Sequence, residues 1–258
     1  MKHLVIPDCQ IRQGVPLQHL EALGHYIVDH KPDVVVQLGD FADMHSLSTY
    51  DRNTKKGENV RYDEDIAVAT QAMALLLKPL FEYNTARRKN KEKLYKPRLV
   101  LTLGNHENRI DRFVNLNPFL DNVLTVKDLG YEYFGWEVYP FLQPIEIDGI
   151  LYSHYFPRSS SGRIVQSRAG APTAKAQVQR EMQSCTSGHL QGLDYAVLQT
   201  GTRRIYGLIA GSFYQHDEDY LTPQGTHYWR GVIVKHEVDN GSYDPMFVSL
   251  NYLLKRYT

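Results

Sequence analysis

Leu99-Val100-Leu101-Thr102-Leu103-Gly104-Asn105-His106-Glu107 decides the reading of this chain. A short apolar run stops at a glycine and gives way at once to an amide, an imidazole and a carboxylate. That is the pattern of a buried strand that delivers polar side chains at its end. The pattern recurs in Leu4-Val5-Ile6-Pro7 before Asp8, in Val34-Val35-Val36-Gln37-Leu38-Gly39 before Asp40, and in Ile150-Leu151-Tyr152-Ser153 before His154. Gly188-His189-Leu190-Gln191 adds a late imidazole. Ligand sites in open α/β sheets lie just outside the carboxyl edge of the strands. The polar groups at these run ends are therefore expected to meet.

The segments between the runs supply helices. Leu17 to His30 carries Leu20, Leu23 and Ile27 at helical spacing and fits a crossover between strands 4–6 and 34–38. Asp63 to Leu77 is a second helix, with Asp63, Glu64 and Asp65 in its first turn and an apolar stripe through Ile66, Ala69, Met73, Leu76 and Leu77. Pro79 is expected to end or kink it. Residues 48–62 and the stretch before 173 read as loops, and 173–184 as a helix. Past residue 131 strands dominate: 137–139, 145–147 and 150–152, with Asp148-Gly149 as a tight turn. Two hairpins follow, Tyr195–Gln199 with Ile205–Ala210 and Gly231–Glu237 with Met246–Asn251; Asn240-Gly241-Ser242 is read as the turn of the second.

Composition sets limits. The chain has 258 residues, with 29 basic and 29 acidic side chains, so no global field draws in nucleic acid or anionic lipid. Cys9 and Cys185 are the two cysteines, which excludes a disulfide framework. There is no signal-peptide core at the start and no apolar run long enough to span a bilayer. One domain over 1–258, no membrane partner and a reducing, cytoplasmic setting are the expectations. Nucleotide-loop, zincin and paired C-x-x-C motifs are absent.

In order and spacing, Asp8-Cys9-Gln10, Gly39-Asp40-Phe41-Ala42-Asp43, Gly104-Asn105-His106-Glu107, His154 and Gly188-His189-Leu190-Gln191 resemble the blocks of the calcineurin-like metallophosphoesterases. The family pattern reads D-x-H, G-D-x-x-D, G-N-H-[DE], a lone H and G-H-x-H, so Gln10 and Gln191 stand where it has histidine. The resemblance implies an α/β fold of two facing mixed β-sheets flanked by helices, a four-layer sandwich. It implies two divalent ions, one among Asp8, Gln10, Asp40 and Gln191 and the other among Asp40, Asn105, His154 and His189, with Asp40 shared. It implies metal-activated water as nucleophile, His106 as the group that donates to a phosphoryl oxygen or protonates the leaving group, and Asp43 as the carboxylate that holds its imidazole. A carboxylate partner fixes the imidazole tautomer and raises its pKa, which suits a general acid.

The two glutamines turn the first site into an all-oxygen set, which suits a hard ion. Mn²⁺ is the expected ion, with Mg²⁺, Zn²⁺ and Fe²⁺ as alternatives. The expected activity is phosphate-ester hydrolysis, by a phosphodiesterase or nuclease acting on a nucleotide or nucleic acid. Met44-His45 stands where phosphoprotein phosphatases of this family have Arg-Gly, and the basic stretch 87–98 could form a phosphate-binding rim or a solvated surface. The alternatives are a phosphomonoesterase and a catalytically weak binding protein that kept the fold. Arg109, Arg158 and Arg163 are the candidate substrate contacts, each weighed against a surface or solvated role. Cys9 is expected to be buried, His45 to start a helix, and Glu107 to support its loop.

Overall fold

Alternation along the strands assigns each apolar side chain to a layer. In β1 (His3–Ile6) Leu4 and Ile6 pack into one buried cluster and Val5 into another. The same split holds in β2 (Val34–Gln37), with Val35 opposed to Val34 and Val36, and in β3 (Arg98–Thr102), with Leu99 and Leu101 opposed to Val100. A strand that is buried on both faces needs apolar residues at every position, which is why these runs are continuous. The structure, a computed structural model, describes residues 1–49, 57–157, 173–217 and 228–258.

Two mixed sheets face each other. The first has strand order β11-β10-β1-β2-β3-β4, where β4 is Glu137–Tyr139, β10 Gly231–Asp239 and β11 Ser242–Ser249. Strands β1 to β4 are parallel, and β10 and β11 add an antiparallel edge. The second has order β5-β6-β7-β9-β8, built from β5 (Ile145–Ile147), β6 (Ile150–Ser153), β7 (Ser184–Ser187), β8 (Leu193–Gln199) and β9 (Arg204–Ala210). Here β6, β7 and β9 are parallel. Val5, Val36 and Val100 meet Ile150, Tyr152 and Leu208 between the sheets. Helices α1 (Gln18–His30), α2 (Tyr62–Lys89) and α5 (Leu250–Tyr257) cover the outer face of the first sheet, and α4 (Ala174–Glu181) covers the second. The four-layer sandwich is thus the observed architecture.

The turns follow their residues. Asp148 and Gly149 have φ of 50° and 81°, and Asn240 and Gly241 have 47° and 81°. Both central residues in the left-handed region make the tight hairpin turn that joins right-twisted strands.

Two open readings are narrowed. Of the two outcomes expected at Pro79, an end or a kink, the end is excluded, because the second helix runs past Leu77 to Lys89. A mid-helix proline removes one amide donor and crowds the preceding turn. Here it sits where α1 comes closest: a Cβ on Gly24 would meet the Leu76 carbonyl and would lie 2.8 Å from the Pro79 ring. Packing against α1 holds the helix together across the break in its hydrogen bonds. Of the two readings of the basic stretch 87–98, the structure favours the solvated surface over the phosphate-binding rim, because the stretch does not border the site. Arg87, Arg88 and Lys89 close α2, and Arg98 starts β3, at the strand end opposite Asn105. At about 3.3 Å per residue the two lie roughly 20 Å apart. Arg98 pairs with Glu137 and Arg87 with Glu92 instead.

Candidate metal centre

Five strand ends converge. Asp8 lies just past β1, Asp40 past β2, Asn105 past β3, His154 past β6 and His189 past β7. Parallel register within each sheet puts these ends on one edge of the sandwich. The backbone there is unusual. Gln10, Asp40, His189 and Gln191 have φ of 46°, 51°, 65° and 55°. Each non-glycine residue in that region costs of order 1–3 kcal/mol, which surrounding contacts must over-determine. Four such residues in one cluster, all chelating types, mark a site shaped for function rather than for packing.

One carboxylate and two imidazoles form the tightest group. Ligand atoms of Asp40, His154 and His189 lie within 4.8 Å of one another. His154 donates from Nδ1 to the Leu38 carbonyl at 2.8 Å, which turns Nε2 into the cluster. That Nε2 is 2.9 Å from Asn105 Oδ1 and 3.3 Å from Asp40 Oδ2. Burial disfavours charge on His154, but the Asp40 and Asp8 carboxylates outweigh it and lift its pKa to about 9. Burial would likewise raise Asp40, yet His106 and His154 hold it well below the carboxylate range. In the protein alone, then, His154 itself supplies the positive charge that Asp40 and Asn105 gather. His189 is pushed the other way, to about 4, by burial and by the charge on His154. A neutral imidazole is the form that binds a metal.

Asp8 anchors the second half. Its Oδ1 accepts the His189 amide at 2.9 Å, while its buried Oδ2 has no hydrogen-bond partner among the described residues. Burial, with Asp40 repulsion added, raises Asp8 to about 7. A buried carboxylate oxygen without a donor calls for a cation. Gln10 is buried beside it, and Gln191 accepts a 2.8 Å bond at Oε1 from the Tyr214 hydroxyl. The loops approach closely because of glycine: a Cβ on Gly188 would collide with Asp8 Oδ1, and one on Gly104 with Asp40. The donor set fits a pair of divalent ions, with oxygens on the Asp8 side and two imidazoles on the His154 side.

His106 and Asp43 form a separate pair. Their Nδ1 to Oδ1 distance is 2.7 Å, and the His106 amide donates to Asp40 Oδ1 at 2.9 Å. His106 Nε2 is then turned toward Asp40 Oδ2, 3.7 Å away. Burial lowers the pKa of His106, but Asp40 and Asp43 more than reverse that and leave it raised. Asp43 also receives Arg12 at 3.0 Å and Arg109 at 3.1 Å. Despite burial, His106 and these arginines hold it well below the usual range. Arg109 thus orients the pair, and with Asn105, Arg112 and Phe113 it also lines a cavity of about 130 Å³.

Glu107 clasps two loops together. Its Oε2 accepts the Asp40 and Gly104 amides, both at 2.9 Å, and its Oε1 accepts the Ala42 amide at 3.0 Å and the Tyr131 hydroxyl at 3.2 Å. Cys9 is fully buried, and His45 opens a short 3₁₀ turn. Arg158 and Arg163 lie outside the described residues. Sequence reasoning missed Arg12 and Tyr214. Nothing in the sequence pairs Arg12 with Asp43. Tyr214, by contrast, follows the apolar run Ile205–Ala210 and then Gly211-Ser212, so it comes from a sixth strand end with the same signature.

The sequence profile of the calcineurin-like phosphoesterases matches residues 1–165, a span that includes Asp8, Asp40, Asn105, His106 and His154. No curated protein matches the chain in a sequence search. Among solved structures, Yfce, a phosphoesterase from E. coli, aligns over 96% of this chain and 100% of its own, with 11% identity and a TM-score of 0.38.

Proposed function

The chain belongs to the calcineurin-like phosphoesterase family, hydrolases of phosphoric esters, and from that premise we propose a phosphodiesterase that acts on nucleotide or nucleic-acid diesters. Asp8, Gln10, Asp40 and Gln191 would hold one ion, and Asp40, Asn105, His154 and His189 the other. Mn²⁺ is the proposed ion, with Mg²⁺, Zn²⁺ and Fe²⁺ as alternatives. When bound, such a pair activates water and neutralises charge on the phosphoryl oxygens. His106 acts on the other side of phosphorus. With Nδ1 tied to Asp43, its Nε2 carries the available proton. That proton would pass to the leaving oxygen as the phosphorus–oxygen bond breaks, while the oxygen of water, one of its protons released to solvent, bonds to phosphorus; His106 then takes a proton back from solvent.

The observation that carries this reading is the 2.7 Å His106–Asp43 pair beside the shared Asp40. The cavity next to Asn105 supports a diester over a monoester, because it leaves room for a second ester group. We take residues 1–258 as one unit, since Asp8 and His189 come from different sheets and share one hydrogen bond. Both cysteines are free and buried, as fits a reducing cytoplasm. No helix of the described residues is long and apolar enough to cross a membrane.

The test uses leaving groups. His106→Ala should slow a substrate with an alkoxide or ribose leaving oxygen by about 10²–10⁴-fold. It should slow a 4-nitrophenolate ester far less, and metal content should be retained. Equal slowing of both substrates would leave His106 only a charge-stabilising role. No hydrolysis by the native protein of any phosphate ester, with each of the four metals, would support the binding-protein alternative.

A further inference from the structure

Helix α3 (Asn108–Leu116) buries only one residue, Ile110. A neighbouring stripe, Arg109, Arg112, Phe113 and Leu116, has i, i+3, i+4, i+7 spacing and so lies on one face. With Leu47, Thr49 and Asn105, that stripe lines the cavity beside the metal centre. The composition is odd for a helix surface. Leu116 is 74% exposed, and no acidic side chain pairs with Arg112 among the described residues. Arg109, on the same stripe, is already bonded to Asp43, and its Nη2 lies 3.4 Å from His106 Nε2. The cavity therefore opens beside His106, the group that the proposed mechanism sets at the leaving oxygen.

The cavity holds about 130 Å³. Pockets that take whole small ligands measure roughly 300–1,000 Å³, so this space fits one group of a larger substrate. Its walls pair an apolar ring and two aliphatic side chains with the Arg112 guanidinium, one turn along α3 from Arg109, and Leu116 lies a turn farther out. A nucleoside that carries a further phosphate matches those walls, with its base against Phe113 and Leu116 and that phosphate on Arg112. Building on the phosphodiesterase reading, we propose that this cavity is a leaving-nucleoside subsite, and that Arg112 binds the phosphate one step beyond the scissile bond.

Three diesters separate the contributions. All share a thymidine 3′-phosphoryl half, esterified to methanol, to the 5′-oxygen of thymidine, or to the 5′-oxygen of thymidine 3′-phosphate. Chromatography gives kcat/KM for each with Mn²⁺. Native protein should prefer the thymidine ester to the methyl ester by at least about fivefold, the scale of one stacked base. It should prefer the phosphorylated thymidine ester again, by about tenfold, the scale of a charge-assisted contact. Arg112→Ala should collapse the second ratio toward one and keep the first. Leu116→Ser should shrink the first ratio. Both side chains are exposed, and circular dichroism confirms that each variant folds.

Native ratios near one, with all three esters hydrolysed, would overturn the subsite and leave the phosphodiesterase reading standing. So would native preferences that neither variant alters. Faster hydrolysis of a phosphoserine peptide than of any of the diesters would overturn both readings, as would no hydrolysis at all.

Discussion

Glu107→Gln is the sharpest perturbation of the scaffold behind the centre. The substitution preserves shape and changes one oxygen into an NH₂ group. All four groups around the carboxylate are donors: the amides of Asp40, Ala42 and Gly104 and the hydroxyl of Tyr131. Turned with its NH₂ toward Ala42 and Tyr131, the amide can donate to the tyrosine oxygen, so one backbone N–H, that of Ala42, is left facing a donor. Hydrogen bonds to a charged group are worth about 1.5–3 kcal/mol each, so one is lost outright and the others lose their charge assistance. Relief of the buried charge offsets part of that, since burial and the nearby Asp40 already raise the pKa of Glu107. A net loss of about 2 kcal/mol is expected. Urea unfolding in chelator, with the slope checked for two-state behaviour, measures it without metal linkage. The same variant should bind Mn²⁺ more weakly, because Asp40 sits at φ 51° and Glu107 bonds its amide. A stability change under about 0.5 kcal/mol, the size of an ordinary surface substitution, would refute the clasp.

Tyr214→Phe removes the donor to Gln191 and should weaken the Asp8-side ion by about tenfold, as loss of an outer hydrogen bond does, while the His154-side ion keeps its affinity; two-site calorimetry reads both. His3 is fully buried between Tyr152 and Asp148, both at 2.8 Å, and burial depresses its pKa to about 4. Its folded-state value thus lies below the ordinary 6.5, so the unfolded chain binds the proton first. Stability is full above pH 6.5 and falls as pH drops toward 4, by up to about 3 kcal/mol; His3→Gln should flatten that decline, and parallel curves would contradict the assignment. Gly24→Ala should destabilise by about 1–3 kcal/mol, because its Cβ would press on the Leu76 carbonyl and the Pro79 ring; an unchanged melting temperature would show that the two helices can part.

Much of this was legible in the sequence, for a physical reason. Val34-Val35-Val36 and Leu99-Val100-Leu101 are buried on both faces, so burial wrote itself as continuous apolar runs, and each run end marked the edge where ligands gather. Hairpin turns were legible because Asp148-Gly149 and Asn240-Gly241 are residue types that accept positive φ. What stayed open were readings that need tertiary neighbours. Pro79 breaks a helix in isolation, and only its contact with Gly24 shows why α2 continues. The charge of the 87–98 stretch was plain, but its distance from Asn105 was not, since strand direction places it at the far edge. Arg109 read equally as a phosphate contact or a surface salt bridge, and Arg12 carried no signal, until the fold brought both to Asp43. Tyr214 was hidden because its strand had been read only as half of a hairpin.

The ligand map is best tested by anomalous diffraction from crystals soaked in Mn²⁺ and measured above the manganese edge. The account predicts two peaks that flank Asp40. The stronger should lie within ligand distance of Asn105, His154 and His189, and the weaker beside Asp8, Gln10 and Gln191. A lone peak away from Asp40, or a stronger peak on the glutamine side, would contradict it.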